Sequence, residues 1–129
     1  MIGIFLITHG CYGETLVQNA CHVLNRRPAG LVQLGVAPQD DPLDLLPAAR
    51  ALCASVDDGN GVLLLTDLYG ATPANLAMKL RERGRIAGLT GVNLPMLLSA
   101  LTHRDKDLKT VLTHARDAGR SGILNLQDH

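Results

Sequence analysis

Three short segments hold most of the residues of this chain that could do chemistry: Ile7-Thr8-His9-Gly10, Thr66-Asp67-Leu68-Tyr69-Gly70-Ala71-Thr72 and Gly91-Val92-Asn93. His9 is the most informative residue. One ring nitrogen of an imidazole acts as a nucleophile only when the other is held as N–H, which needs an acceptor such as a carboxylate. Asp67 is the carboxylate at the matching height on another strand end. A His9–Asp67 pair would fix the tautomer and support positive charge on the ring as the nucleophile reacts. Beside it, the Thr72 hydroxyl and the backbone N–H groups of Gly70, Ala71 and Thr72 form a candidate anion cradle at a helix start. These parts suit a phosphoryl group moving onto and off a histidine, with catalysis resting on positioning and electrostatics.

Each residue also has a plainer reading. A histidine at a strand end is more often structural than catalytic, and an aspartate there is often a turn former or an N-cap. The helix start beside them tips the balance toward function. Cys11 lies two residues beyond His9, but residues so close on a turn rarely face each other, and a passive thiol is expected. His22, His103, His114 and His129 show no ligand spacing on a helix face and read as surface or satisfied histidines, so no metal and no cofactor is expected. The basic runs Arg26-Arg27 and Lys79–Arg85 fall near helix C-termini, where they complement the helix dipole. A docking surface for an acidic patch is the weaker alternative there.

The elements that must position these residues follow from an alternation of short aliphatic runs with longer amphipathic ones. The runs Gly3–Thr8, Leu31–Val36, Gly61–Thr66 and Ile86–Thr90 suit strands of a parallel sheet buried on both faces. Helices are expected near Glu14–Asn25, Leu45–Val56, Pro73–Arg83, Pro95–His103 and Lys106–Ala118. Thr72-Pro73 and Asn93-Leu94-Pro95 place an N-cap side chain just before a first-turn proline, and Asp41-Pro42 does the same for the second helix. Pro47 is tolerable only in a first turn. Gly84 and Gly119 read as C′ positions. The last run, Gly122–Leu126, is a fifth strand, either on the sheet edge or exchanged with a second subunit. The expectation is one α/β domain over residues 1–129: an open, mostly parallel sheet of about four strands plus a C-terminal edge strand, with helices on both faces. In such sheets ligands bind outside the carboxyl ends of the strands, where His9, Asp67 and Asn93 stand.

Composition agrees with this and excludes other classes. A chain of 129 residues holds a core without staples. Lysine plus arginine equals aspartate plus glutamate at 12 each, which argues against a nucleic-acid footprint. Aromatic residues are 2%, too few for base-stacking platforms. The three cysteines lack CxxC spacing, which suits a reducing cytoplasm. Met1–Ile7 lacks a basic region and a cleavage site, so it reads as a buried first strand. No apolar run approaches the roughly 20 residues that span a bilayer.

The three motifs, Ile7-Thr8-His9-Gly10, Thr66–Pro73 with Asn75, and Gly91–Leu97, resemble in order and spacing those of the mannose-type IIA components of the bacterial phosphoenolpyruvate-dependent sugar phosphotransferase system. The similarity spans essentially the whole chain. The resemblance implies a cytoplasmic phosphohistidine carrier that takes a phosphoryl group from phospho-HPr on His9 and passes it to a IIB component. Asp67 would orient His9, and Thr72 would stand beside the phosphate. It also implies a homodimer that exchanges a C-terminal edge strand. Two features depart from the pattern. Tyr69 stands where a tryptophan is common, and the chain stops at His129 where sugar-transporting members often continue through a linker into a IIB domain, so the acceptor is expected to be a separate protein or absent.

Rival readings share some of these residues. A receiver domain would need an acidic pair after the first strand and a lysine after the last, and the chain has His9 instead. A small tetrapyrrole chelatase would need a second histidine at another strand end, where Asp67 and Asn93 stand. A regulatory module without sugar transport would use the same His9 phosphorylation to reorganise a docking face.

Overall fold

The computed structural model describes residues 1–128; His129, read above as a surface histidine and as the end of the single domain, lies outside them. Nine main elements follow in order: β1 (Gly3–His9), α1 (Tyr12–Leu24), β2 (Leu31–Val36), α2 (Pro42–Ser55), β3 (Val62–Thr66), α3 (Thr72–Leu80), β4 (Ile86–Leu89), α4 (Leu94–Thr102) and α5 (Leu108–Ser121). The sheet is four-stranded in the order β2-β1-β3-β4, with every pairing parallel.

Side-chain alternation divides the core between the two faces of the sheet. Ile4 and Leu6 of β1 and Leu63 and Leu65 of β3 pack with α1, α4 and α5 on one face. Phe5 and Ile7 with Val62 and Leu64 pack with α2 and α3 on the other. All eight are fully buried, as strands covered on both sides should be. The outer strands differ from the expectation of full burial. β2 and β4 are only partly covered, because each has one neighbour and one open edge.

Local chemistry sets the helix starts. Asp41 caps α2 through Oδ1, which accepts from the Leu43 N–H at 2.9 Å, and Asn93 caps α4 by accepting from Met96 N–H at 3.0 Å. Thr72 is not the cap of α3. Ala71 holds that place in an extended conformation, because the turn closed by the Ala71 N–H on the Leu68 carbonyl puts the last extended residue at 71. Pro47 lies inside α2 and beyond its first turn, contrary to the sequence expectation. Its missing N–H deprives the Leu43 carbonyl of its helical donor, and Leu43 is exposed, so water can take that role.

Two glycines serve other ends than helix termination. α5 runs on through Gly119 to Ser121, and a Cβ on Gly119 would lie 3.0 Å from the Met96 side chain. Gly119 is there so that α5 can approach α4. α3 stops at Leu80, ahead of Gly84, which takes φ +80° inside the Glu82–Ile86 turn.

The expected fifth strand does not form in the single chain. Gly122–Asn125 is irregular and Leu126–Asp128 is one 3-10 turn. The reason is a missing pairing partner: a lone strand has no ladder, and Ile123, Leu124 and Leu126 stand exposed with no apolar surface over them.

Arg104, between α4 and α5, was not singled out by sequence reading. Its guanidinium is buried and donates to the Ile2 carbonyl at 3.0 and 2.9 Å, to Gly30 at 2.7 Å, and to Ala29. It ties the amino-terminal edge of the sheet together, and burial pulls its pKa below the usual arginine value.

Candidate functional site

β1 is the pivot of the strand order. The chain moves from β1 outward to β2, then returns to β3 and β4 on the other side of β1. The carboxyl ends of β1 and β3 therefore flank the topological switch point, where open α/β sheets leave a crevice. Ile7 pairs with Thr66, so His9 and Asp67 leave adjacent strands at that crevice.

The two residues meet there. Asp67 Oδ2 accepts the His9 backbone N–H at 2.9 Å and faces the ring Nδ1 at 2.9 Å. A carboxylate only accepts, so Nδ1 carries the proton and Nε2 presents its lone pair. The His9 side chain is 51% exposed and that of Asp67 14%. Burial works against the Asp67 carboxylate, but the two hydrogen bonds from His9 outweigh it and hold the pKa below the ordinary value. The result is an oriented imidazole open to solvent, backed by an ionised carboxylate.

The loops around the pair are braced. Gly10 turns away from β1 at φ +52°, and its N–H donates to the Val36 carbonyl at 2.9 Å. A Cβ on Gly35 of β2 would lie 2.2 Å from the Gly10 carbonyl oxygen, so Gly35 lets the His9 turn close down on the sheet. Thr8 Oγ1 is buried and accepts from the Gly13 N–H at 2.7 Å, anchoring the start of α1. The Tyr12 hydroxyl donates to the Val92 carbonyl at 2.9 Å, and the Val92 N–H donates to Thr66 at 2.9 Å. Sequence reading assigned Tyr12 no role, since nothing local marks a contact with Val92. Cys11 is exposed at the N-cap of α1 and makes no side-chain cap bond.

The three expected phosphate-contacting residues stand on the same carboxyl edge. Gly70 takes φ +83° in the turn after β3. The Ala71 N–H is engaged by the Leu68 carbonyl at 3.3 Å, so it contributes less than expected. Thr72 opens α3 with a hydroxyl not spent on capping, and first-turn N–H groups have no intrahelical acceptor. Leu68 and Tyr69 are exposed beside the pair.

Two other histidines pair with each other and not with His9. His103 and His114 stack with ring centroids 4.3 Å apart, and His103 Nδ1 bonds the Ser99 carbonyl at 2.9 Å. Among the described residues, no three His, Cys, Asp or Glu side chains are placed to hold a metal ion. No helix of the described residues is long and apolar enough to cross a membrane.

A parallel α/β sheet of 2-1-3-4 order with a histidine–carboxylate pair at its switch point defines the class of domain. The family model described as the PTS system fructose IIA component (EIIA-man) matches residues 3–115, and the chain belongs to that family. The PTS system mannose-specific EIIAB component of Escherichia coli strain K12 is 30% identical over 129 residues, 98% of this chain. The chain spans 40% of the length of that relative. Among solved structures, the phosphotransferase system component EIIA from Streptococcus agalactiae superimposes with a TM-score of 0.88 at 22% identity, covering 100% of both chains. The mannose/sorbose specific IIA subunit from Enterococcus faecalis gives 0.85 at 20% identity, covering 97% of this chain and 94% of that one.

Proposed function

We propose that the chain is a phosphohistidine carrier of sugar uptake, accepting a phosphoryl group on His9 Nε2 from phospho-HPr and passing it to a IIB component. The observation that carries this reading is the 2.9 Å contact of His9 Nδ1 with Asp67 behind an exposed ring. In the first transfer the P–N bond of the donor phosphohistidine breaks as a P–N bond to Nε2 forms, and the Nδ1 proton stays in place against Asp67. Positive charge on the imidazole rises as the bond forms, and the ionised carboxylate stabilises it. The phosphoryl oxygens take hydrogen bonds from the Thr72 hydroxyl and from the N–H groups of Gly70 and Thr72, the Ala71 N–H being engaged by Leu68. The second transfer runs the same steps in reverse toward the acceptor. No cofactor enters either step.

Membership of the PTS IIA family supports HPr and IIB as the partners and a cytoplasmic location, and the mannose-specific name of the curated relative supports a sugar of that type. A homodimer belongs to the same reading. β4 is an edge strand whose outer side is paired only at Ile86, by the Glu82 bridge, and Ile123, Leu124 and Leu126 are exposed by 80, 61 and 91%. A second copy that supplied this segment to the β4 edge would cover both.

The test is intact mass after incubation with phosphoenolpyruvate, enzyme I and HPr, beside a His9→Ala variant. One acid-labile phosphoryl group, absent from the variant, is expected. Full labelling of His9→Ala would overturn the assignment.

A further inference from the structure

Among the described residues, no side chain of the basic run Lys79–Arg85 bonds to His9 or Asp67. The fold brings Lys79, Arg81 and Arg85 together with Arg50 of α2 around a cleft of about 380 Å³, whose other walls include Cys53 and Asp57. It opens at the amino-terminal edge of the sheet, where Ile86 begins β4, and so lies at the opposite end of the strands from His9. We propose that this cleft binds a small phosphate-bearing anion carrying two or more negative charges.

Charge is the first argument. The chain is neutral overall, yet four cations line the cleft against two carboxylates, Asp57 and Glu82. Both carboxylates are already committed. Asp57 Oδ2 holds Arg85 at 3.1 Å and its Oδ1 accepts the Gly59 N–H at 2.9 Å, while Glu82 Oε2 holds Arg85 at 3.1 Å. That leaves Arg50, Lys79 and Arg81 without a carboxylate partner among the described residues. Arg81 spends only Nε, on the Met78 carbonyl at 3.2 Å. The C-termini of α2 and α3 border the cleft, and each is equivalent to about half a negative charge. Together they offset about half of the surplus of two cations.

Shape and chemistry point the same way. A concave space of this size is at the small end of the range for small-molecule sites, which is roughly 300–1,000 Å³. Guanidinium groups with free terminal nitrogens match phosphate oxygens in bidentate fashion, and an ammonium supplies a third, point-like contact. The Arg85–Asp57 pair holds one wall in place before any ligand arrives, and Cys53 and Leu80 supply buried apolar footing.

The test is calorimetric titration of the full chain with inorganic pyrophosphate at about 0.15 M ionic strength, with backbone amide shifts followed in parallel. Saturable binding of one pyrophosphate per chain is expected, with shifts confined to residues 50–57 and 79–86. Arg50→Glu with Lys79→Glu, both on exposed positions, should weaken it by at least about tenfold, and His9→Ala should leave it unchanged. Arg81→Ala, a milder change, should weaken it in the same direction. Absence of saturation, equal shifts from sodium chloride at matched ionic strength, or binding lost in His9→Ala and kept in the charge reversals would overturn the proposal.

Discussion

Asp67 Oδ2 holds His9 twice, through the backbone N–H and through ring Nδ1, each at 2.9 Å. One oxygen therefore fixes both the position of the residue and the tautomer of its ring. The arrangement predicts that Asp67→Asn folds but transfers slowly. The amide oxygen can stand where Oδ2 does and accept both bonds, but the negative charge behind the imidazole is gone. The rate of phosphoryl acceptance from phospho-HPr should fall by about a hundredfold or more, with far-UV circular dichroism unchanged. An unchanged rate in rapid-quench labelling would show that Asp67 is only a brace.

The same pair sets an acid limit. The Asp67 pKa is held below its ordinary value of 3.8 in the folded state, against the pull of burial, by the His9 hydrogen bonds. A group depressed on folding contributes stability above its unfolded pKa and loses it as pH falls through the folded one. Stability of the native chain should thus drop more steeply below about pH 4 than that of Asp67→Asn. Urea midpoints measured from pH 6 down to pH 3 test this; parallel curves would contradict it.

Two glycines at the His9 turn should respond differently to alanine. A Cβ on Gly35 would sit 2.2 Å from the Gly10 carbonyl oxygen, so Gly35→Ala must push the turn away. It should cost about 1–3 kcal/mol and slow phosphoryl acceptance as well. Gly10→Ala meets open space and strains only its φ of +52°, costing about 1 kcal/mol. Thermal denaturation of both variants gives the comparison, and equal losses would argue against the close approach.

Tyr12→Phe removes one hydrogen bond, from the hydroxyl to Val92, and leaves the ring. A loss of about 1 kcal/mol is expected, with amide exchange rising in the Thr90–Asn93 loop. Exchange unchanged in that loop would show that the bond does not brace it.

Truncation after Ser121 removes Ile123, Leu124 and Leu126, all exposed on the single chain. If the second copy supplies this segment, sedimentation should show a weakened dimer with an intact fold. A truncated chain that stays a tight dimer would place the interface elsewhere.

Much of this molecule was legible in its sequence, for identifiable reasons. The inner strands are read from runs such as Ile4–Ile7 and Val62–Leu65 because burial on both faces demands continuous apolar residues. The meeting of His9 with Asp67 follows from parallel strands ending at one edge. What escaped reading depends on contacts distant in sequence. Tyr12 reaches Val92 across 80 positions, and Arg104 reaches Ile2 across 102, without any local pattern to announce either. Gly119 was misread as a terminator because a glycine at a close helix contact and one at a C′ position look alike in sequence. The segment after Ser121 has the composition of a strand, but a strand forms only where a neighbour pairs with it.

The most direct measurement of the central claim is the site of phosphorus on the ring, read by phosphorus–nitrogen coupling in the phosphorylated, histidine-labelled chain. The tautomer held by Asp67 predicts phosphorus on Nε2 of His9 with the Nδ1 proton retained. Phosphorus on Nδ1, or on any residue other than His9, would contradict it.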